Sequence, residues 1–409
     1  MHKFFQALAL LGVVGIGWTG LPYNIPYIFI SLIIISSVFF GQSKSTGNSG
    51  LYAGPLILSI FLSTLIAIFL VEKRLSASDS RLQILEETQR IYSVSNSSPS
   101  EFILFNLVTM SKWVAALVFI PLLFTYRSDS LSINAQKFIR FWILGVVINS
   151  GYAILNSFGI DIGIDLESID LKNQNSSFRF SGLSIHPNHL SSQICLAWPL
   201  VVYLIQLSRK RYLFPLSFAY FLLTIVLTGS RVGLITFTLL TPLILFNQRQ
   251  LISRRVLVAS LATMVLAFSL LQNINSRFGI ASWRIFSNPE ILEASNRGRS
   301  GLAKQAIYDF VNNPFFGIGP QAFKSGHNIY LQLLASLGLF GFCAFVILTL
   351  KLLLSTSVEI GKLIALKISI ISYLIHGVFS NSLTDFYLFI PFGMLIAMAK
   401  FSERTRSNK

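Results

Sequence analysis

The sequence predicts an all-α polytopic membrane protein, and three observations carry that prediction. Of the 409 residues, 53% are hydrophobic and only 12% are charged, whereas a soluble chain carries about 25% charged residues. Apolar stretches of roughly 20 residues, the length that crosses a bilayer, recur along the whole chain. The basic residues lie mainly between these stretches, as expected where positive charge sets the orientation in the membrane. We therefore expect a single integral membrane domain over residues 1–409.

We expect about 12 transmembrane helices from the positions of the apolar stretches. Their expected ranges are 4–19, 25–40, 51–71, 102–125, 138–157, 191–207, 212–229, 232–246, 256–272, 329–350, 363–380 and 385–400. Three longer connections separate them, at 72–101, 158–190 and 273–328. The last is predicted to be a large, partly helical, outward-facing loop between the ninth and tenth spans.

The distribution of positive charge predicts that both termini lie in the cytoplasm. In that orientation the inward connections hold more than half of the 32 Lys and Arg residues, but only Asp129, Glu359 and Glu403 of the 16 acidic residues. Cytoplasmic loops of membrane proteins normally carry such an excess of bases. The three long connections then face the periplasm. The sequence pI of about 10.0 therefore reflects membrane orientation, and nucleic acid is not an expected partner.

Four of the histidines lie in surroundings that the sequence can interpret. His186 and His189 form an HPNH cluster, but no Cys, Asp or Glu lies close by to complete a metal site, so none is expected. His376 lies within an apolar stretch, where packing against a neighbouring helix and a mild effect of replacement are expected. His327 ends the longest outward connection and opens an apolar helix. There it either caps that helix together with Asn328 or acts as a general base.

Three arginines are candidate ligands for an anionic group outside the membrane. Arg231 lies in TGSRVGL between two closely spaced spans, so its guanidinium is expected at or just inside the outer membrane interface. An arginine there is costly unless it is paired. Arg179 and Arg299 lie in two of the outward connections. Because a guanidinium binds two phosphate oxygens at once, three arginines and His327 favour a pyrophosphate site. Snorkelling of these side chains to lipid headgroups is the alternative.

The stretch HNIYLQLLASLGLFG contains His-Asn, nine further residues and Gly-x-x-Gly, at His327, Asn328, Gly338 and Gly341. It resembles a motif of the O-antigen ligases.

Further segments upstream resemble the same family. They are FRFSGLSIHPNHLS with Arg179 and Asn188, LTGSRVGLI with Arg231, and GRSGLAKQAIYDFVNNPFFGIGPQAF with Arg299, Gly317 and Gly319. Residues 175–400 thus resemble the superfamily of O-antigen ligases and O-antigen polymerases.

The resemblance implies a membrane glycosyltransferase that moves a glycan from a polyprenyl-pyrophosphate donor, undecaprenyl in bacteria, to a sugar hydroxyl. A ligase would use lipid A-core as the acceptor, and an O-antigen or exopolysaccharide polymerase would use another repeat unit. It implies that His327 takes the acceptor proton while Arg179, Arg231 and Arg299 hold the leaving pyrophosphate, without metal or cofactor. The implied location is the bacterial inner membrane, in contact with its lipid, with the active site facing the periplasm.

Two other classes of membrane protein are compatible with the pattern. A transporter or flippase for an anionic lipid or glycan would also bind phosphate groups. Such proteins, however, usually place ionisable residues at mid-membrane on broken or repeated helices. A non-catalytic scaffold is the other class, although it has no need to gather arginines near His327. Within the enzyme class, the sequence does not separate ligase from polymerase.

The predicted orientation can be tested by labelling single cysteines, in a chain whose two native cysteines are replaced by alanine. Cysteines introduced into 273–328 should react with a membrane-impermeant maleimide applied from the periplasmic side, because the charge distribution places this connection outside. A cysteine introduced after Lys400 is the control and should react only once the inner membrane is permeabilised. Reaction of 273–328 from the cytoplasmic side alone would contradict the orientation.

Overall fold

The computed structural model describes most of the expected helical regions. The described ranges are 2–15, 50–69, 99–114, 131–160, 179–184, 186–210, 212–247, 289–320, 328–355, 360–380 and 390–398, with a few isolated residues between them.

The described residues form helices and no strand, which confirms the predicted all-α class. The helices are α1 (His2–Gly15), α2 (Gly50–Phe69), α3 (Pro99–Val114), α4 (Leu131–Ser157), α5 (Pro187–Ser208), α6 (Leu213–Leu227), α7 (Arg231–Asn247), α8 (Pro289–Asn312), α9 (Ile329–Leu354) and α10 (Ile360–Gly377). A further helical segment, α11, covers residues 390–398.

Three of the described helices are long and apolar enough to cross a membrane, namely Gln136–Ser157 within α4, α5, and α9. Shorter apolar helices cover Ala53–Phe69, Leu213–Leu227 and Arg231–Leu245. The presence of these helices supports the prediction of a membrane protein. The expected spans 25–40 and 256–272 lie outside the described residues apart from isolated positions, so the full count of spans stays a prediction. Helix α8 lies within the expected 273–328 connection, part of which is therefore helical.

Helix α5 lies at the centre of the best-packed part of the structure, in contact with α4, α6, α7 and α10. Its Trp198 is fully buried, and four phenylalanine rings of α6 and α7 have their centroids 5.1 to 6.1 Å from the Trp198 ring. The indole N–H donates to Thr241 Oγ1 at 3.1 Å. Because apolar side chains gain little by leaving lipid for a helix interface, close contacts and such hydrogen bonds hold the helices together.

Helix α9 is broken at Gly338, whose φ of 66° and ψ of −166° are not helical. A break frees backbone groups, and each unsatisfied group in a membrane is costly. On the N-terminal side of the break, the residues of segment 314–319 supply donors. Ile318 N donates to Ala335 O at 2.8 Å, and Gly319 N donates to Ser336 O at 3.0 Å.

On the C-terminal side of the break, the same segment supplies acceptors. Leu339 N donates to Pro314 O at 2.7 Å, and Phe340 N donates to Phe315 O at 3.2 Å. Segment 314–319 therefore substitutes for the missing turn of α9, and it fixes the end of α8 to the middle of α9.

Two glycines make this backbone pairing possible. A Cβ atom on Gly338 would overlap the carbonyl group of Phe315, and a Cβ atom on Gly317 would overlap the carbonyl group of Ser336. Both glycines also have φ of +66°, which side chains disfavour. Backbone geometry therefore explains why glycine occupies both positions.

Two further motif glycines allow α2 and α3 to approach. A Cβ atom on Gly341 would overlap Leu337 Cβ of α9 itself and would lie 2.8 Å from Ser59 Oγ of α2, and one on Gly319 would lie 2.6 Å from Asn106 Oδ1 of α3. Nearby, Ser63 Oγ of α2 donates to the Ser336 carbonyl at 2.7 Å. Protein therefore covers the break in α9 on the side of α2 and α3, while Leu339 and Phe340 directly after the break are exposed.

Replacing Gly338 by alanine should lower the midpoint of thermal unfolding, because the new Cβ atom overlaps Phe315 and the backbone strain alone costs about 1–3 kcal/mol. Gly54→Ala in α2 is the matched control. Nothing lies within 4 Å of a Cβ atom there, and alanine is the better helix former by about 1 kcal/mol. Unfolding of the purified protein in detergent, followed by fluorescence, makes the comparison. Equal midpoints for the two variants would contradict the pairing of 314–319 with α9.

Candidate functional site

The starts of α5, α7 and α9 meet the end of α10 at one end of the bundle. Ser191 in the first turns of α5 has its Oγ atom 2.9 Å from Ser230 Oγ, just before α7. The same Ser191 Oγ lies 3.4 Å from Nε2 of His376, near the end of α10. The start of α9 joins this end of the bundle because Asn328 Nδ2 donates to Val378 O at 3.0 Å.

Asn328 caps α9. Its side-chain oxygen accepts from the N–H groups of Tyr330 and Leu331 at 2.9 and 3.1 Å, which satisfies donors that a helix start otherwise leaves unpaired. The Tyr330 hydroxyl donates to Leu374 O of α10 at 2.9 Å. Asn328 is therefore the cap of α9, as in one of the two alternatives that the sequence left open, while His327 lies outside the described residues.

Ser230 caps α7, and Arg231 is the first residue of that helix. The Ser230 hydroxyl accepts from Gly233 N at 3.2 Å. A Cβ atom on Gly233 would lie 2.6 Å from Ser191 Cβ, so glycine here lets the starts of α5 and α7 approach. Arg231 is partly exposed and lies at the positive end of the helix dipole.

The HPNH cluster begins α5. His186 precedes the helix with an extended backbone, and its Nδ1 atom accepts from Asn188 N at 3.1 Å. Pro187 occupies the first helical position, where the missing N–H costs nothing. The HPNH cluster is thus a helix start, and the proline after a capping residue is a pattern that indicates a helix start in the sequence.

Arg179 joins the start of α5 to the turn before α7. Its Nε atom donates to Thr228 O, and its Nη2 atom donates to Asn188 Oδ1, each at 2.9 Å. The side chain crosses Gly229, where a Cβ atom would lie 3.4 Å from both Cγ and Nε of Arg179. Two elements therefore hold the guanidinium, and its fixed positive charge lies beside two helix starts.

A buried polar network holds the segment that carries Arg179. Asn149 of α4 accepts from Leu183 N at 2.7 Å and donates to Ser184 Oγ and Gln193 Oε1 at 3.0 and 3.1 Å. Gly182 has a φ of +60° and lies directly against Asn149. Because buried polar groups with partners rigidify their surroundings, residues 179–184 are fixed on α4 and α5.

Arg299, the third candidate arginine, is linked to the bundle through its helix. It lies on α8 and is partly exposed, and α8 packs against α9. Buried Ala306, Ile318 and Ala335 form a cluster between these elements, together with Ala67 of α2.

The described contacts thus gather Arg179, Asn188, Asn328 and the start of the helix that Arg231 opens. Sequence analysis missed Ser191 and Ser230. A serine directly before an apolar helix is a usual cap, so Ser230 was recognisable. The contact of Ser191 with His376 spans 185 residues and carried no local signal.

The described residues thus form a helical bundle with helices long and apolar enough to cross a membrane, and arginines lie where some of its helices begin. Residues 216–346 match the family model described as O-antigen ligase. The matched range includes Arg231, Arg299 and the His327 motif, and it confirms the resemblance to the superfamily of O-antigen ligases and O-antigen polymerases. Arg179 and Asn188 precede it. No curated protein matches the chain significantly.

Two replacements of Asn188 test its contact with Arg179. Asn188→Ala should lower the free energy of unfolding by about 1.5–3 kcal/mol, the range for hydrogen bonds to charged groups. Asn188→Asp should leave it unchanged or raised, because a carboxylate still accepts from the guanidinium and favours a helix N-terminus. Thermal unfolding in detergent measures both. Equal destabilisation by alanine and aspartate would contradict the contact.

Proposed function

We propose that the protein is a membrane glycosyltransferase that moves a glycan from an undecaprenyl-pyrophosphate donor to a sugar hydroxyl on the periplasmic side of the bacterial inner membrane. Ligation to a lipid A-core acceptor is the first candidate. Polymerisation of O-antigen or exopolysaccharide repeat units by the same chemistry is the second. The match of residues 216–346 to the O-antigen ligases supports the class of reaction.

The observation that carries the proposal is the concentration of positive charge at the starts of α5 and α7. Arg179 and Arg231 lie there, and each helix start adds the equivalent of about half a positive charge. Phosphate groups bind at such helix starts through backbone N–H groups and the dipole. None of residues 179–191 and 228–234 is acidic, so no carboxylate from these segments cancels the charge. A pyrophosphate suits this arrangement.

The acceptor side of the reaction is assigned to His327. This residue directly precedes Asn328, the cap of α9, and α9 begins at the same end of the bundle. In the proposed reaction, His327 takes the proton of the acceptor hydroxyl as its oxygen attacks the anomeric carbon of the donor glycan. The bond from that carbon to the pyrophosphate oxygen breaks. Arg179, Arg231 and Arg299 then stabilise the charge of the departing undecaprenyl pyrophosphate.

The broken helix α9 is the feature that favours the alternative, a transporter or flippase for an anionic lipid or glycan, because transporters bind substrates at broken helices. In those proteins the freed backbone groups face a substrate or ion. Here the groups flanking Gly338 pair with segment 314–319. The break therefore supports a structural role better than transport.

Glycan transfer by protein reconstituted in liposomes tests the proposal. With a labelled undecaprenyl-pyrophosphate glycan and candidate acceptors, wild type should form a new glycosidic bond. His327→Ala should lower the rate by about 10²–10⁴, the usual contribution of a general base. Arg231→Lys should also be severely impaired, because one ammonium group does not reproduce the two-point contact of a guanidinium with phosphate.

Arg209→Lys is the matched control for the arginine replacement. Arg209 lies at the opposite end of α5 and is exposed, so this variant should transfer at the wild-type rate. Asn188→Asp should be stable but slow, since its carboxylate lowers the positive charge beside Arg179. Activity should persist in excess EDTA, because arginines fill the role of a cation. Movement of the intact donor across the bilayer without a new glycosidic bond would favour the transporter instead.

A further inference from the structure

We infer that His376 is a positioning residue for Arg231, acting through Ser191 and Ser230. The inference rests on the proposed function, which assigns Arg231 to the pyrophosphate. Sequence analysis expected His376 only to pack against a neighbouring helix. It is indeed buried, with 2% of its surface exposed, but its ring also faces the polar contacts at the start of α7.

Ser191 joins the ring of His376 to both helix starts. Ser191 Oγ lies 3.0 Å from Asn188 O and 2.9 Å from Ser230 Oγ, and it donates to one or the other because a serine hydroxyl has a single hydrogen. The same oxygen lies 3.4 Å from Nε2 of His376, where the tautomer of the ring sets which atom donates. The contact with His376 therefore restricts the orientation of the Ser191 hydroxyl between Asn188 and Ser230.

This chain of contacts ends at the residue that determines how α7 begins. Ser230 caps the helix by accepting from Gly233 N, and Arg231 follows Ser230 directly. Ser191 also bonds the backbone of Asn188, whose side chain holds Arg179. His376 therefore supports the helix start that carries Arg231 and the helix start whose Asn188 holds Arg179. An error of about 1 Å in the position of such groups can cost 10²-fold in rate.

The surroundings of His376 argue against packing alone as its role. Its Nδ1 atom is buried and has no hydrogen-bond partner among the described residues. Burying an unpaired polar atom costs free energy that an apolar side chain of similar volume would avoid. Ser369, two turns earlier on α10, is by contrast a buried polar residue whose contact only joins α10 to α5. It is fully buried, and its hydroxyl bonds Leu196 O of α5 at 2.8 Å.

Binding of undecaprenyl pyrophosphate to the full-length protein in lipid nanodiscs tests the inference. His376→Leu roughly keeps the volume but removes the nitrogen that contacts Ser191, and it should weaken binding roughly tenfold, as expected for one lost hydrogen bond. Ser191→Ala should weaken binding to the same extent. The double variant should bind like either single variant, because both changes interrupt the same chain. His376→Gln retains an N–H group near Nε2 and should restore binding.

Ser369→Ala is the matched control, since it removes a buried hydrogen bond across the same pair of helices. It should lower the thermal midpoint yet bind the lipid like wild type. If Arg231→Lys weakens binding while His376→Leu and Ser191→Ala bind like wild type, the inference is overturned and the proposed function stands. If Ser369→Ala weakens binding as much as His376→Leu does, the effect is general loosening and the inference is also overturned. If the lipid binds Arg231→Lys as tightly as wild type, the proposed function fails together with the inference.

Discussion

Backbone groups at membrane depth must find partners within the protein, and the break in α9 is where this constraint shapes the structure most. Gly338 removes a turn of hydrogen bonds, and segment 314–319 replaces it with donors on one side and acceptors on the other. The pairing holds α8 against α9 because 314–319 directly follows α8. It thereby connects the helix that carries Arg299 to the helix that begins after His327. The pairing therefore adds a backbone connection between two parts of the proposed site, beside the direct packing of α8 on α9.

The second organising feature is the meeting of helix starts at one end of the bundle. α5, α7 and α9 begin there, and each start is capped by a side chain, His186, Ser230 and Asn328 respectively. Caps satisfy some of the free N–H groups, while the dipoles remain aligned towards the same region. Arg179 adds its guanidinium by bonding both the start of α5 and the turn before α7. Such a region attracts anions, which is the property that the proposed reaction needs.

Apolar periodicity and length were sufficient to predict the helices that carry the site. The expected span 329–350 became α9, Ile329–Leu354, and the expected span 232–246 became α7, Arg231–Asn247. The break at Gly338 was not predicted, since a lone glycine in an apolar run is also common in continuous membrane helices. Its cause is pairing with a segment some 20 residues away, which no local pattern encodes.

Only part of the candidate site was predictable, because the sequence indicates its residues but not the contacts between distant elements. Arg179, Arg231 and Asn328 were recognisable because charged or capping residues stand out within apolar sequence. Their mutual arrangement depends on contacts between distant elements, such as Ser191 with His376. A histidine in an apolar stretch gives no indication of which atom faces which partner, so only the packing of α10 on α5 reveals its neighbours.

The most direct test of this account is an experimental structure of the protein with undecaprenyl pyrophosphate bound. The account predicts that the two phosphate groups lie at the starts of α5 and α7, within hydrogen-bond distance of Arg179 or Arg231. It also predicts that the imidazole of His327 lies on the side of the donor glycan from which an acceptor hydroxyl would approach. A pyrophosphate bound at the opposite end of the bundle, near Arg209 and Lys210, would contradict it.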